Sequence, residues 1–441
     1  MGGDEQVASR ARVPLRLVVI LGALTAIGPL SIDTYLPALP QLARDLSAGQ
    51  VPAQLTLTSC VAGLALGQIV AGPLSDTWGR RRPLLIGLAA YAAASLLCAV
   101  APTVQTLIVL RLIQGAAGAA GIVIGRAIVR DLYDGAAVAR VFALLILVTG
   151  LAPILAPVLG GQLLRVSRWP GVFLMLGGAG AALCIAALLG LRETLPGEKR
   201  GTGGARGTLT TFRALLTDWS FLGYALASGL AFAAMFTYIS GSPFVLQDIY
   251  GLSPQAFSLV FGSNALGLVT AAQVGGRLAG RVRLGRLLSA GLAMLVTGGV
   301  GLLVAVVTGA GLAGVLPALL LVVAAQGLIG PNAMALALSG RPARVAGSAS
   351  ALIGLTMFSI GGVVAPLAGA AGPHTAVPMA LVIAALALAA GSVAALSLRT
   401  ARTVDAARPR RTRRTRRSRR AAAESARAGE AEHQGIREPF D

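Results

Sequence analysis

The chain has 441 residues, of which 55% are hydrophobic and only 12% are charged. Soluble domains carry about 25% charged residues, so this composition excludes a soluble globular protein. The formal net charge of +20 would suit nucleic-acid binding, but much of that excess lies in one segment, Arg408 to Arg420, and the other charges form short clusters between long neutral stretches. We therefore predict an integral membrane protein without a nucleic-acid partner.

Twelve apolar stretches predict an all-α protein with twelve transmembrane helices, because each is close to the ~20 residues that a helix needs to cross a bilayer. The first follows Arg10, Arg12 and Arg16, as in a secretory signal, but it is too long for one and contains Asp33 and two prolines. The predicted spans cover residues 15–38, 51–75, 83–102, 104–128, 138–164, 170–191, 218–243, 254–279, 285–308, 311–339, 344–371 and 376–398.

The distribution of basic residues predicts the orientation, because cytoplasmic loops carry an excess of Lys and Arg. With the N-terminus in the cytoplasm, the outer loops hold only Arg44, Arg165 and Arg168. The inner loops then hold Arg80, Arg81, Arg82, Arg130, Arg140, Arg192, Lys199, Arg200, Arg206, Arg213, Arg277, Arg281, Arg283, Arg286, Arg341 and Arg344. This alternation predicts a bacterial inner-membrane protein with both termini in the cytoplasm, and ten or fourteen spans would break it.

The longest inner loop divides the spans into two groups of six, and its Gly-rich, charged core predicts a flexible linker. A weak repeat supports this division, because AGPLSDTWGRRRPLL follows the second span and GGRLAGRVRLGRLL follows the eighth. We predict a cytoplasmic N-terminus (1–14), a six-helix bundle (15–191), a cytoplasmic linker (192–217), a second six-helix bundle (218–398) and a basic, disordered cytoplasmic tail (399–441) that can bind anionic lipid.

Two ionisable residues lie within the predicted spans at similar depths. Charged residues inside a membrane are costly and usually mark an ion or substrate path. Asp33 in span one and Arg111 in span four lie roughly 8 and 10 Å below the outer surface, for a rise of about 1.5 Å per residue. We therefore expect an ion pair between them, either functional or purely structural. The alternative is that Asp33 only marks the membrane interface.

The segment GPLSDTWGRRR, between spans two and three, combines a tight turn with opposite charges. The residues that matter are Gly72, Asp76, Gly79, Arg80, Arg81 and, at the inner end of span four, Asp131. The glycines permit the turn, and Asp76 can bind an arginine or a helix N-terminus. Asp131 is the expected partner of Arg80. A turn that only fixed orientation would need no more than the arginine cluster.

Span five is unusually rich in glycine and proline, at Gly150, Pro153, Pro157, Gly160 and Gly161. Such a segment predicts a kinked, closely packed membrane helix, either at a moving interface or simply in tight packing. Other polar residues are expected to line a cavity or to hydrogen-bond between helices: Tyr35, Gln68, Gln114, Tyr238, Asn264, Gln273 and Asn332. The sequence contains no phosphate-binding loop, Ser-His-Asp set or metal-binding cluster, so we expect neither an enzyme nor a cofactor.

These segments resemble motifs of the major facilitator superfamily, specifically of its twelve-span drug:proton antiporters. GPLSDTWGRRR is similar to the loop motif between spans two and three, although Thr77 stands where a basic residue is usual. LIVLRLIQG is similar to the span-four motif through Arg111, Gln114 and Gly115, and GLAPILAPVLGG to the antiporter motif, with Ala-Pro where Gly-Pro is typical. SIDTYLPALP, YISGSPFVLQDIYGLSPQAFSLVFGSNALG and AGSASALIG resemble the bicyclomycin/chloramphenicol-resistance (Bcr/CflA) group, and the similarity covers residues 15–398.

The resemblance implies two pseudo-symmetric six-helix bundles that rock around a central cavity and export small drug-like molecules in exchange for protons. It implies that Asp33 carries the proton, that Arg111 assists its release, and that Asp76, Arg80 and Asp131 form an inner gate. The proton gradient then supplies the energy, and we expect the chain to act as a monomer.

Two other functions stay open on the sequence alone. A metabolite or nutrient symporter of the same superfamily would share most of these motifs, and only the span-five segment favours exchange. A non-transporting receptor or scaffold with a basic tail would leave the two paired halves unexplained. Deletion of residues 401–441 separates the classes, because a transporter should still work without its tail.

Overall fold

The computed structural model describes residues 15–133, 135–196, 213, 215–339, 341, 346–370, 372 and 374–407. The predicted N-terminal segment 1–14, most of the predicted linker and the tail beyond residue 407 lie outside the described residues. The regular structure in the described ranges is helical, as the long apolar stretches predict, because a helix satisfies every backbone hydrogen bond within one membrane segment.

Twelve long helices of the described residues, numbered α1 to α12, correspond in order to the twelve predicted spans. Their bounds are Leu15–Asp33, Gln50–Trp78, Arg81–Ala99, Val104–Leu132, Gly135–Leu163, Trp169–Gly190, Trp219–Phe244, Pro254–Leu278, Leu284–Val307, Gly311–Leu338, Ala346–Val364 and Val377–Ala407. By length and composition, 11 helices in this part of the chain can cross a membrane, and α5 contains the shorter apolar segment Leu147–Leu163. The protein is therefore a multi-pass membrane protein.

α1 and α12 end differently from the predicted spans. α1 ends at Asp33, and the chain continues through a 3-10 helix, Leu36–Ala38, and a short helix, Leu39–Asp45. Each of these begins with a proline in its first turn, where the missing N–H costs no helical hydrogen bond. α12 continues to Ala407 instead of ending near residue 398. The added residues, 399–407, include no Gly or Pro and are rich in Ala and Arg, which favours a helix. The predicted disordered tail thus begins with a helical segment.

Close contacts at glycines join the same helix pair in each half of the chain. A Cβ atom added to Gly63 in α2 would collide with the carbonyl oxygen of Leu112 in α4. In the same way, a Cβ atom added to Gly327 in α10 would collide with the carbonyl oxygen of Leu268 in α8. Small residues allow membrane helices to approach closely, which strengthens their dispersion contacts. The matching α2–α4 and α8–α10 contacts fit two pseudo-symmetric six-helix bundles.

The first bundle, α1–α6, contacts the second bundle, α7–α12, mainly through two helix pairs, α2 with α11 and α5 with α8. In the second pair, the backbone of Gly150 in α5 faces Val269, and Gly262 in α8 faces Ile154. The Gly- and Pro-rich helix therefore lies between the bundles, where the sequence suggests a moving interface. We call the helix ends that are predicted to be cytoplasmic the inner ends, and the opposite ends the outer ends.

Candidate functional site

A cavity of about 460 Å³ lies between the two bundles. Most of the polar groups on its wall come from the first bundle, at Thr25, Asp33, Gln68, Arg126 and Thr149. The second bundle contributes mainly large apolar side chains, at Phe232, Met235, Phe236, Ile239, Phe261, Leu268, Val323 and Phe358, together with Tyr238. A largely apolar cavity of this size with a few polar groups is typical of sites that bind small organic molecules.

Asp33, the last residue of α1, lines the cavity at the outer end of that helix. Only 6% of the residue is exposed. Among the described residues, its side chain forms neither a hydrogen bond nor an ion pair. A buried carboxylate without a partner is costly. Binding a proton or a cationic group from the cavity relieves that cost, so the position suits a coupling site.

Arg111 lies in α4 and is completely buried. Its guanidinium donates hydrogen bonds to the side-chain oxygen of Gln114 at 2.6 Å, to the carbonyl oxygen of Ser31 at 3.0 Å and to that of Thr56 at 3.4 Å. These acceptors belong to α4, α1 and α2, respectively. Arg111 therefore ties three helices of the first bundle together.

Two aromatic rings cover the same guanidinium. Its central carbon lies 4.9 Å from the ring centre of Tyr35 and 5.6 Å from that of Phe173, as in cation–π contacts. The hydroxyl groups of Tyr35 and Thr56 are hydrogen-bonded at 2.9 Å. Tyr35 and Gln114, which the sequence predicts in a cavity wall, thus belong to the buried surroundings of Arg111 instead.

The ion pair expected between Asp33 and Arg111 is absent from this structure, although both residues lie among those described. Arg111 contacts α1 through Ser31, two residues before Asp33. The hydroxyl of Ser31 points toward that of Tyr91 in α3, at 2.7 Å, and side chains two positions apart in an α-helix point in nearly opposite directions. Similar depth in the membrane therefore did not bring the two charges together, because they lie on different sides of α1.

The remaining polar residues of the predicted cavity are divided between its wall and its surroundings. Gln68 and Tyr238 line the cavity. Asn264 lies one layer behind and donates to the hydroxyl of Tyr238 at 2.9 Å. Asn332 is buried and donates to a carbonyl oxygen one turn earlier in α10, and Gln273 is exposed on α8. Hydrogen bonding between and within helices, the alternative to a cavity role, accounts for Asn264 and Asn332.

Arg126 lines the cavity but is absent from the sequence-based prediction of the site. It lies within the apolar stretch GIVIGRAIV of the predicted fourth span, so the argument that selects Arg111 applies to it equally. The aromatic wall, including Phe232 and Phe358, carries no comparable signal, because phenylalanine is ordinary anywhere in a membrane helix.

The turn between α2 and α3 brings the predicted inner-gate residues together. Gly79 has a φ of +87°, in a region that favours glycine, while Gly72 lies within α2. Arg80 donates to a carboxylate oxygen of Asp131 at 2.9 Å and to one of Asp76 at 2.5 Å. These ion pairs join the inner ends of α2, α3 and α4 within the first bundle.

Glu193, just beyond α6, is a further member of this cluster. Its carboxylate accepts hydrogen bonds from the main-chain N–H groups of Arg80 at 2.8 Å and Arg81 at 3.1 Å. Burial alone would raise the pKa of Glu193, but the main-chain donors of residues 195, 80, 81 and 194 outweigh it and hold that pKa below its usual range. The side chain of Arg81 donates to a carbonyl oxygen of α6 at 2.8 Å, so α6 is attached to the same turn.

The glycines at the outer end of α5 lie at two close approaches. A Cβ atom added to Gly160 would collide with the carbonyl oxygen of Thr34, next to the end of α1. One added to Gly161 would collide with the side chain of Ser258 in α8 of the other bundle. Both prolines of the motif lie inside α5, and Pro153 lines the cavity.

Hydrogen bonds between described residues join the two bundles at their outer ends. One of these contacts is an ion pair between Arg44 and Asp248, at 2.9 Å. Side-chain amides of Gln247, Gln255 and Gln54 also donate to the carbonyl oxygens of Pro37, Gly161 and Ser240, at 3.3, 2.8 and 3.3 Å respectively. These contacts lie on the outer side of the cavity, beyond Asp33, whereas the exposed Arg126 lies toward its inner side.

The sequence profile described as Major Facilitator Superfamily matches residues 21–366 of the chain. The chain is 40% identical over 371 residues to the Bacillus subtilis protein named Uncharacterized MFS-type transporter YdgK, covering 84% of this chain and 92% of that protein. It is 29% identical over 362 residues to the Bicyclomycin resistance protein homolog of Haemophilus influenzae, covering 82% and 91%. It is 31% identical over 256 residues to the Multidrug resistance protein MdtL of Klebsiella pneumoniae, covering 57% and 63%.

Solved structures of the same architecture share little sequence with the chain. A bacterial homologue of the human lysosomal transporter Spinster, in an inward-facing and occupied conformation, matches with a TM-score of 0.71 at 14% identity, covering 87% of this chain and 96% of that one. A mutant of the nucleoside transporter NupG matches with a TM-score of 0.72 at 12% identity, covering 87% and 99%. At such identities these likenesses concern the fold alone.

Proposed function

Because the chain belongs to the major facilitator superfamily, we propose that it exports small drug-like molecules in exchange for protons. The observation that carries this proposal is the carboxyl group of Asp33, which has no partner among the described residues and lies at the outer end of a largely apolar cavity between the bundles. An ionisable residue within a membrane usually marks an ion path, and the cavity has the size and lining that drug-like molecules need.

Two relatives support drug-like molecules as the substrate class. One is named a bicyclomycin resistance protein homolog, and the other a multidrug resistance protein. The cavity wall formed by the second bundle is apolar and fits this class, because aromatic and aliphatic side chains can bind many apolar molecules without specific hydrogen bonds. Sugars or other highly polar metabolites would need more donors and acceptors on that wall.

The exchange follows from alternating access of Asp33 to the two sides. With the outer ends closed, Asp33 faces a cavity that opens inward, so its proton leaves to the inner side and a substrate enters from there. When the bundles rock and the outer contacts separate, the substrate leaves and a new proton binds from outside. The inward-directed proton gradient thereby drives export.

Arg111 acts in this scheme as a positioning residue. Its hydrogen bond to the carbonyl oxygen of Ser31 fixes the end of α1 that carries Asp33. The ion pairs of Arg80 with Asp76 and Asp131 hold the inner ends of α2, α3 and α4 as one body. Such rigidity is what a rocking motion of whole bundles requires.

We place the protein in a bacterial inner membrane with both termini in the cytoplasm. The concentration of arginine in the inner loops supports this orientation. The closed outer ends then face away from the cytoplasm, and drugs enter the cavity from the cytoplasmic side. A monomer suffices for transport, because the cavity is formed within one chain.

The test uses the full-length protein in proteoliposomes that contain a pH-sensitive dye, challenged with a panel of drugs. We expect some drugs to drive proton movement in the opposite direction with the wild-type protein. Asp33→Asn should abolish this exchange, because an amide cannot cycle a proton at any accessible pH. Asp33→Glu should retain part of it. The matched control is Asp45→Asn, since Asp45 lies in an exposed ion pair with Arg168 outside the cavity.

Two results would contradict the proposal in different ways. Movement of protons and substrate in the same direction would indicate a metabolite or nutrient symporter. Drug-driven proton movement that persists in Asp33→Asn would show that another group carries the proton.

A further inference from the structure

The exchange scheme leaves one charged residue of the cavity without a role. Arg126 lies in α4, lines the cavity and is exposed to it. Among the described residues it forms neither a hydrogen bond nor an ion pair. A guanidinium group carries five N–H donors and no acceptor. These donors have no partner among the residues that the structure describes, and the side chain lines the cavity.

Comparison with Arg111 on the same helix shows how unusual this is. Arg111 is completely buried, and three oxygen acceptors and two aromatic rings satisfy it. An arginine within a membrane normally pairs with an acidic group or a carbonyl, or faces a water-filled cavity. Arg111 pairs with carbonyl groups, whereas Arg126 lines a cavity. Only Arg126 is therefore available to a ligand that enters the cavity.

The acidic group of the cavity does not neutralise Arg126. Gly125 lies beside Leu24 of α1, with 3.7 Å from its ideal Cβ position to the Cβ atom of Leu24. Asp33 is nine residues further along α1, which corresponds to ~14 Å at about 1.5 Å per residue. This separation is much longer than the roughly 4 Å that an ion pair between a guanidinium and a carboxylate allows. The cavity thus has a cation toward its inner side and a carboxyl group at its outer end.

The walls around Arg126 suit the rest of such a ligand. Across the cavity, the ring of Phe232 stacks with that of Phe236, at 6.0 Å between ring centres, and meets Phe358 edge-on at 5.5 Å. These rings offer a continuous apolar surface for an aromatic or aliphatic body. The planar fork of an arginine binds a carboxylate through two parallel hydrogen bonds.

We propose that Arg126 binds an anionic group of the substrate, so that the chain prefers molecules in which a carboxylate is attached to an apolar, aromatic body. This inference rests on the proposed export function and names its substrate class. A carboxylate held at Arg126 leaves Asp33 free to bind and release its proton, so anion recognition and proton exchange occupy separate ends of the cavity.

The test compares two fluorescent probes that differ in one group, dansylglycine, which carries a carboxylate, and dansylglycinamide, which is neutral. Binding to the purified full-length protein in lipid nanodiscs is measured by probe fluorescence. We expect wild type to bind the carboxylate about tenfold more tightly than the amide, which corresponds to about 1.4 kcal/mol. Arg126→Gln should remove this preference while amide binding stays unchanged, which also shows that the variant is folded. Arg126→Lys should keep part of it.

The matched control is Arg130→Gln. Arg130 is an exposed arginine one turn further along α4 that does not line the cavity. The preference for the carboxylate should persist in this variant. The proposal would be overturned if wild type bound both probes equally, or if Arg126→Gln kept the preference for the carboxylate. It would also be overturned if Arg130→Gln lost the preference to the same extent, because that result would indicate a diffuse positive field.

The same probes separate this inference from the proposed function. Asp33→Asn should lose proton exchange and still prefer dansylglycine. Drug-driven exchange without a carboxylate preference would overturn only the role of Arg126. A carboxylate preference that depends on Arg126, in a protein without proton exchange, would leave the anion site standing and overturn the antiport.

Discussion

The guanidinium of Arg111 donates to the carbonyl oxygen of Ser31 at 3.0 Å, two residues before the carboxyl group of Asp33. The contact anchors the outer end of α1 to α4 through the main chain. The position of the Asp33 carboxyl group, the proposed coupling site, therefore depends on a buried cation that does not touch it.

Arg111→Ala should lower the stability of the purified protein by about 3 kcal/mol and impair exchange, because it leaves the acceptors of Ser31 and Gln114 buried without a charged donor. Arg111→Lys should recover only part of the loss, since a single ammonium group cannot reach acceptors on three helices. The measurements are the Tm in detergent and drug-driven proton movement. Arg130→Ala, at an exposed arginine of the same helix, serves as the control. A wild-type Tm in Arg111→Ala would refute the anchoring role.

Gly160→Ala should impair exchange, because the added methyl group would push α5 away from the carbonyl oxygen of Thr34 and disturb the adjacent Asp33. Overpacking of this kind costs about 1–3 kcal/mol. The matched control is Gly178→Ala in α6, where an added Cβ atom meets nothing within 4 Å. We expect a lower Tm and slower exchange for the first variant alone. Identical behaviour of the two variants would mean that α5 tolerates the methyl group.

Breaking the Arg44–Asp248 ion pair should favour opening of the outer ends. The pair is exposed, with 66% and 26% of the side chains accessible, so its contribution is about 0–1 kcal/mol. Arg44→Ala should change the exchange rate at low salt, and exchanging the two charges should restore it. In about 1 M salt the difference should vanish because screening weakens exposed pairs. The control is Arg168→Ala, which breaks a similarly exposed pair with Asp45 inside the first bundle. An equal effect of both variants would argue against a role in closure.

Glu193→Gln should lower the Tm at neutral pH, and its difference from wild type should shrink in acid. Main-chain donors hold the pKa of Glu193 below its usual range. The ionised carboxylate therefore stabilises the folded protein at pH values above the unfolded pKa of about 4.3, and this contribution is lost as the pH falls through the lower folded pKa. Thermal unfolding of both proteins between pH 7 and pH 3 measures it. A difference in Tm that stays constant over this range would exclude the charge as its source.

The helices could be predicted from the sequence because a membrane span needs only length and apolar composition. The inner turn could be predicted as well, since Asp76 and Arg80 are one helical turn apart and Asp131 ends a neighbouring span. The partner Glu193 could not, because it is separated from Arg80 by 113 positions and no local pattern links them.

The predicted ion pair between Asp33 and Arg111 was wrong for a geometric reason. Counting residues gives the depth of a side chain in the membrane, and both charges do lie near the outer ends of their helices. Depth does not give the direction in which a side chain points around its helix. That direction depends on how α1 packs against α2 and α4, which is settled by close glycine contacts that single-sequence patterns do not reveal.

The uneven composition of the cavity walls has a consequence for how such a protein changes under selection. Groups that carry charge lie on α1 and α4, whereas α7, α8 and α11 contribute the broad aromatic surface. Replacing one large apolar residue by another on that surface reshapes the volume offered to a ligand and leaves the charged groups in place. Under the proposed function, inherited variation in the second half of the gene would broaden or narrow the range of exported compounds while proton coupling is conserved.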